Sequence, residues 1–517
     1  MSIQTFAAID VGSYELAMKI YEFSGKGGMK QIDHIRHRIE LGTDTYTTGK
    51  ISHERVDELC KVLSEYADMM KTYKVSAYRA CGTSAIRETE NRMIILEQVK
   101  LRTGLKVEVL SNSEQRFLHY KSVASKGERF GKVIEKGTAI VDVGGGSIQI
   151  SLFDKDSLVA TQNIRLGILR MREMLVDIQP HTKDYEHLIE ELVDNQLISF
   201  KHMYLKNREI KNIIVVDDYI SFIMQKLSED EKVDNTISKE QYMAFLDVLR
   251  MKTPEQIARY IGMPEENASL LTPSAILFKR ILEITGAELL WAPGVGLADG
   301  IAYDYGQKNK LIQVQHDFEA DIVACAGNMG KRYQANRERN LFLDKTAVTI
   351  YDSMKKVHGM GKRERVLLRI AALLNDCGKY ISLESSAESG YNIIMATEMI
   401  GLSHQEREIV ANIVKYNKAD FRYYDEIARE SQLDREAYLK IAKLTAMFRV
   451  ADGVCRSQRQ KVMDVKAALK EDTLLLTVTS DEDISLEKGF FQRKTRFFEE
   501  VFSIKPIIKQ KRNLNRI

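Results

Sequence analysis

The sequence predicts an α/β protein in which two related lobes face a cleft, followed by a largely helical region and a small C-terminal α+β segment. Three observations lead there. First, a strand–Asp–Gly–Ser turn occurs twice, as Ala8-Ile9-Asp10-Val11-Gly12-Ser13 and as Ile140-Val141-Asp142-Val143-Gly144-Gly145-Gly146-Ser147. Second, apolar strand-like runs alternate with helical periodicity up to about Tyr305. Third, from about Asp317 to Ala451 the pattern is almost wholly helical. The domain limits that follow are residues 1–127 and 128–308 for the lobes, 309–460 for the helical region and 461–517 for the last segment.

The elements follow in order. Thr5–Val11 reads as a buried strand and Leu16–Phe23 as its partner across the first Gly turn. Arg36–Leu41 is followed by a Gly42–Gly49 loop. Ser52–Thr72 is a helix with Val56, Leu59, Cys60, Leu63 and Ala67 on one face. Val75–Cys81 is a strand whose Gly82 leads into a helix opened by Thr83-Ser84 and carrying Arg87. A helix at Asn91–Thr103 and a strand at Val107–Leu110 precede a helix at Ser113–Ser125, with Ser113 as N-cap.

The second unit has strands at Thr138–Val143, Ser147–Phe153, Leu158–Arg165, Ile213–Val216 and Glu288–Trp291. Its helices fall at Lys239–Lys252, Thr253–Ile261 and Ser269–Thr285. Beyond the helical region, Thr473–Val478 is a strand. Lys505–Ile517, with five basic residues and no acidic one, reads as a solvated tail.

Bulk properties narrow the function. The 517 residues carry a net charge of +3 and 44% hydrophobic residues, an ordinary globular composition with no charge excess that would argue for nucleic acid. Five scattered cysteines in no CxxC spacing fit a reducing compartment. No apolar run approaches a membrane span, and no signal-peptide pattern opens the chain. A cytoplasmic protein without a membrane or specific nucleic-acid partner is expected.

Each Gly turn offers backbone N–H groups to a phosphate, because Gly lets the chain come close. Gly12, Ser13, Gly144, Gly145, Gly146 and Ser147 are therefore candidate phosphate ligands. Asp10 and Asp142, at strand ends beside these turns, suit a divalent cation held directly or through water. One such turn alone is an ordinary tight turn capped by Asp; two copies favour phosphate. Thr83 opens a helix N-terminus, and Arg87 one turn later reads equally as a phosphate ligand or as a surface partner of Glu88 or Glu90. Glu114 at the start of its helix reads, from the residues alone, as an acid complementing the helix dipole.

These segments, with Gly82-Thr83-Ser84-Ala85-Ile86-Arg87-Glu88, Val107-Glu108-Val109-Leu110-Ser111-Asn112-Ser113-Glu114 and Gly294-Val295-Gly296-Leu297-Ala298-Asp299-Gly300, occur in an order that resembles the exopolyphosphatase/guanosine pentaphosphate phosphatase (Ppx/GppA) family. The resemblance covers roughly the first 305 residues. It implies two actin-like, ribonuclease H-like lobes of the sugar kinase/Hsp70 superfamily. It implies hydrolysis of terminal phosphate from inorganic polyphosphate or guanosine pentaphosphate, with Mg²⁺ or Mn²⁺. By position, Glu114 matches the catalytic base, Arg87 the phosphate-contacting arginine, and Asp10 and Asp142 the carboxylates near the metal. The alternative it leaves open is a binder or sensor of phosphorylated ligands without turnover.

The chain departs from that pattern. Tyr14-Glu15 replace two small polar residues. Gln149 stands for a glutamate, able to accept from metal-bound water but without its charge. Gln115 replaces the second acid of the pair at the base, and Phe117 an arginine. Further on, Leu373-Leu374-Asn375-Asp376-Cys377-Gly378-Lys379-Tyr380 resembles the HD-type domain appended to many members, with Asn375 in place of His. Asp452 matches its last ligand and His358 its first. With so few imidazoles a metal centre is not expected there, and the region is read as a helical platform for a homodimer or a long polyanion.

Overall fold

The computed structural model describes residues 4–25, 28–176, 178, 184–216, 218–228, 235–264, 268–314, 316–427, 433–455 and 461–512. It divides into two compact units, Met1–Asp317 and Phe318–Ile517.

The first unit holds two sheets of matching topology. In one, β1 (Gln4–Val11), β2 (Glu15–Ser24) and β3 (Gly28–Arg38) form an antiparallel meander. β4 (Ala77–Gly82) and β5 (Val107–Val109) extend it parallel to β1, giving the order β3-β2-β1-β4-β5. In the other, β6 (Thr138–Val143), β7 (Ile148–Asp154) and β8 (Ser157–Ile164) repeat the meander. β9 (Asn212–Val216) and β11 (Leu289–Trp291) repeat the parallel extension, and β10 (Thr236–Ser238) pairs antiparallel at the edge. These are the two related lobes that the repeated turn predicted, with the actin-like architecture that the family resemblance implied.

Alternation along the central strands places the site. Ala7, Ile9 and Val11 of β1 pack with Val56, Leu59, Cys60 and Leu63 of the His53–Thr72 helix. Each fully buried Ile, Val or Leu among them contributes about 1.5–3 kcal/mol. Successive side chains point to opposite faces, so Asp10 shares the other face with Phe6 and Ala8, which pack on Leu297, Ala298, Ile301 and Ala302 of the Leu297–Lys308 helix. In the second lobe Ala139, Val141 and Val143 face the core together with Ile148, Ile150 and Leu152. Asp142 and Gln149, paired across β6 and β7, therefore share the opposite face.

Three local expectations are corrected, and one unassigned stretch is filled in. Residues 42–49, read as a loop, mostly form a helix, Leu41–Thr47 (α1). Arg36–Leu41, given no element, begins within the end of β3, whose mixed residues Gly28–Arg38 hide their alternation behind His and Arg. The cap of the Asn112–Ala124 helix is Ser111, not Ser113: the Ser111 hydroxyl accepts from Glu114 N, and the Glu114 carboxylate accepts from Ser111 N, a reciprocal capping box. The basic tail is in part β14 (Lys505–Lys511), parallel to β13 (Thr473–Thr479), which pairs antiparallel with β12 (Asp464–Lys470). The Ser485–Phe502 helix makes the crossover that a parallel pair requires. Residues 513–517 lie outside the described residues. Most of the second unit is helical, including Phe318–Arg332, Arg337–Ser353, Lys362–Leu374, His404–Lys418 and Arg435–Val454.

The second Gly turn is held by close backbone packing. Ile168 N donates to Gly144 O at 3.1 Å, and Arg170 N to Gly145 O at 2.9 Å. A Cβ at Gly167 would stand 2.4 Å from Gly144 O and from Gly146 N. Gly167→Ala is expected to destabilise the first unit by more than the roughly 1–3 kcal/mol of ordinary overpacking, because three backbone atoms must retreat. Urea unfolding measures the loss.

Candidate phosphate-binding cleft

Both Gly turns line one cavity of about 410 Å³ between the lobes. Asp10, Gly12, Ser13 and Thr83 come from the first lobe; Asp142, Gly144, Gly145 and Ser147 come from the second. The turns touch: a Cβ on Gly145 would lie 3.1 Å from Ser13 Cβ, and one on Gly146 would lie 2.1 Å from the Tyr46 hydroxyl. Only glycine permits that approach. Beneath it Ser13 Oγ is bonded to Tyr46 Oη (2.8 Å) and Ser84 Oγ (2.9 Å), and accepts from Ala85 N at 3.2 Å. Burial pushes the Tyr46 phenol up, so it stays a neutral hydroxyl.

The turns do not offer every amide that their sequence suggests. Gly12 N donates to Glu15 O (3.1 Å), and Gly144 N to Ser147 O (3.0 Å); both are consumed in closing the turns. The N–H groups of Ser13, Gly145, Gly146 and Ser147 have no backbone acceptor among the described residues, which leaves four donors near the cavity. Ion pairs also span the lobes: Arg165 and Arg170 on Glu88 (2.6 and 2.7 Å), and Arg172 on Glu40 (2.9 Å).

Four sequence candidates, Arg87, Glu114, Gly146 and Gln149, lie off the cavity wall. Arg87 Nη1 donates to Leu110 O at 2.8 Å and to Gln115 Oε1 at 3.3 Å. Glu114 is held by Ser111, whose hydroxyl donates to Oε2 at 2.6 Å. The α5 helix (Asn112–Ala124, after α2 His53–Thr72, α3 Ser84–Glu88 and α4 Arg92–Thr103) instead presents Gln115 and, one turn later, His119 to the cavity. His119 Nδ1 is bonded to Asp142 Oδ2. Gln149 is buried beside Asp142, and neither its Oε1 nor its Nε2 has a hydrogen-bond partner.

Sequence reasoning missed several lining groups. Lys19, His34 and Arg36 reach the cavity from β2 and β3, where the register puts Lys19 opposite His34. Asp299 lay inside a quoted motif without a role. Its Oδ2 receives Lys19 Nζ at 2.7 Å and Gly296 N at 2.8 Å, and its Oδ1 the Tyr21 hydroxyl at 2.7 Å. Burial works against ionisation of Asp299, but the Lys19 ammonium and these donors outweigh it and hold the carboxyl below the usual carboxylate range.

A model of the Ppx/GppA phosphatase family matches residues 20–309, and one of Ppx/GppA phosphatase domain III matches residues 324–493. The chain belongs to the Ppx/GppA phosphatase family. That membership places it among hydrolases acting on phosphoanhydrides. Similar curated relatives are the guanosine-5'-triphosphate,3'-diphosphate pyrophosphatases of Photobacterium profundum (19% identical over 476 residues, 92% of this chain and 91% of the relative) and Aeromonas hydrophila (20% over 498 residues, 92% of each). Among solved structures, an exopolyphosphatase from Cytophaga hutchinsonii covers 60% of this chain and 100% of its own at 17% identity, with a TM-score of 0.53. The Aquifex aeolicus family member covers 61% and 100% at 23% identity, with a TM-score of 0.50. These likenesses speak for the fold.

In the second unit of this Ppx/GppA protein, Asp376 and Asp452 come together as the HD-like motif implied, but a side chain spans them. Arg339 Nη1 donates to Asp376 Oδ2 (2.9 Å), Nη2 to Asp452 Oδ1 (2.6 Å) and Nε to Cys455 O (3.2 Å). All three side chains are buried. Asn375 Oδ1 accepts from Asn417 Nδ2 at 3.0 Å, and buried His358 accepts Met360 N at 2.9 Å. Among the described residues no group of three or more His, Cys, Asp or Glu is placed to hold a metal ion. No described helix is long and apolar enough to cross a membrane.

Two tests follow from these charges. Asp299 has a lowered native pKa, so its contribution to stability is present above the ordinary carboxylate value of about 4 and is lost as pH falls through the lower native value. Lys19→Met removes the charge that depresses it and leaves burial dominant, which pushes the carboxyl up. The variant is expected to be less stable than wild type at pH 7 and to lose less of its remaining stability on acidification, because Asp299 then takes up its proton in the folded state, as urea unfolding at pH 7 and pH 4 measures. Arg339→Ala removes the cation that bridges two buried carboxylates, of which Asp376 keeps Lys379 at 2.9 Å, and is expected to cost about 3 kcal/mol, read as a lower thermal midpoint of the second unit.

Proposed function

We propose that this protein removes the terminal phosphate from inorganic polyphosphate or guanosine pentaphosphate in the interlobe cavity. The observation that carries the reading is the contact between the two Gly turns, which leaves the N–H groups of Ser13, Gly145, Gly146 and Ser147 without backbone acceptors. Donors aimed at an anion in a partly dry cleft act more strongly than in water, and phosphoryl transfer depends mainly on such positioning.

The cavity also calls for a cation. Four carboxylates (Asp10, Glu15, Asp142 and Asp299) line it against Lys19 and Arg36, so a phosphate chain meets net negative charge unless a positive ion enters with it. The residues fit Mg²⁺, which commonly takes one or two carboxylates plus substrate phosphates and keeps several waters. Asp10 and Asp142 would hold it, with the orphaned Gln149 amide accepting from a bound water. When bound, the ion offsets charge on the transferring group. Gly145, Gly146 and Ser147 orient the terminal phosphoryl group, and Ser13 fixes the opposing turn.

Glu114 takes the proton of the attacking water in this reading, after its carboxylate turns from Ser111. Glu114→Gln is then expected to lower kcat on the order of 10²–10⁴-fold with little change in KM. Equal rates would leave Glu114 as a helix cap alone. Phosphate release from polyphosphate and from guanosine pentaphosphate, with Mg²⁺ and with Mn²⁺, tests the whole proposal. The amides at Gln115 and Gln149 favour a second reading, a phospho-ligand sensor, which predicts ligand binding without phosphate release under all of these conditions.

A further inference from the structure

The first turn of α5 sends one residue to the cavity wall, and it is Gln115 rather than its acidic neighbour. Gln115 is 7% exposed. Its backbone N–H is spent on Ser111 O (3.0 Å), so only the side chain has work left to do.

The orientation of that side chain is fixed by chemistry. Arg87 Nη1 stands 3.3 Å from it, and a guanidinium only donates, so the atom facing Arg87 is the carbonyl Oε1. Arg87 is itself anchored by Leu110 O at 2.8 Å. The Nε2 group thus becomes the outward donor, and it makes no hydrogen bond to another described residue. At the cavity wall this N–H₂ is free to donate to an acceptor that enters the cleft. Phosphoryl oxygens accept and do not donate.

We propose that Gln115 contacts the terminal phosphoryl group, donating from Nε2 to a non-bridging oxygen, and that Arg87 is a positioning residue that acts through Gln115 rather than on the phosphate. This rests on the phosphate-binding reading of the cleft. It assigns Gln115 no proton transfer, since an amide has no titrating group at neutral pH. It also gives the neutral residue a purpose. A carboxylate at 115 would pair with Arg87 and turn negative charge toward the incoming phosphate, in a cavity already rich in acids.

The test is a double-mutant cycle with Mg²⁺–tripolyphosphate as the probe, read by calorimetric affinity and, where phosphate is released, by kcat and KM. Gln115→Ala is expected to weaken binding about 10-fold or more, the usual loss for one hydrogen bond to a charged group. Gln115→Glu is expected to weaken it further than Gln115→Ala does, because a carboxylate then faces the phosphate where the amide donated. Arg87→Ala is expected to weaken binding in the wild-type background and to add less than 2-fold to Gln115→Ala. Thermal midpoints of all variants separate these losses from unfolding. Affinity unchanged in Gln115→Ala would overturn the proposal. So would full additivity of the two substitutions, which would put Arg87 on the phosphate directly. Failure of the wild type to bind tripolyphosphate removes the phosphate-binding reading itself, and with it this contact; binding with the wrong variant pattern removes only the contact.

Discussion

Everything in the cleft depends on the Ser13 hydroxyl and what stands over it. That oxygen accepts from Ala85 N and shares hydrogen bonds with Tyr46 and Ser84, so one atom ties the first Gly turn to α1 and to the start of α3. The second turn then lies on this hub with no side chain at Gly145 or Gly146 to keep it off. Remove the close approach and the four idle amides face separate surfaces, and the carboxylates around them become an unrelieved concentration of negative charge. The glycines therefore serve two purposes, since the freedom that makes each turn also permits the turns to meet.

The lobes were legible in the sequence because their central strands are nearly continuous apolar runs ended by Asp and Gly. Alternation about Ile9 and Val11, and about Val141 and Val143, was enough to send Asp10 and Asp142 to the same kind of face. The side chains that complete the cleft were not legible in this way. Lys19, His34 and Arg36 reach it only through the register of β2 on β3, and a single string does not show register. His119 lies in a helix whose apolar periodicity is weak, and nothing before the fold is known connects it to Asp142, 23 residues away.

The same limits explain the local errors. β14 hides behind Lys505, Lys509 and Lys511, which point outward from an edge strand while Pro506 is buried; the charge reads as a tail where the alternation is the better guide. The cap of α5 was placed two residues late because Ser111 and Ser113 are equally good cap residues, and only the reciprocal bonds with Glu114 decide between them. That decision matters beyond the helix end. With Ser111 as the cap, Glu114 turns back toward it, and Gln115 takes the place on the wall that a motif alignment gives to the acid.

α5 also joins parts of the first unit that belong to different sheets. A Cβ at Gly300 would sit 1.9 Å from Leu118 O, so α5 and the Leu297–Lys308 helix cross with backbone against backbone. At the same time His119 grips Asp142 of the other lobe. A rod clamped at its middle and hooked at its side has little freedom to slide. Any parting of the lobes wide enough to admit a long ligand must either release that imidazole or carry the whole rod along, so the hinge of this molecule has to lie elsewhere than in α5.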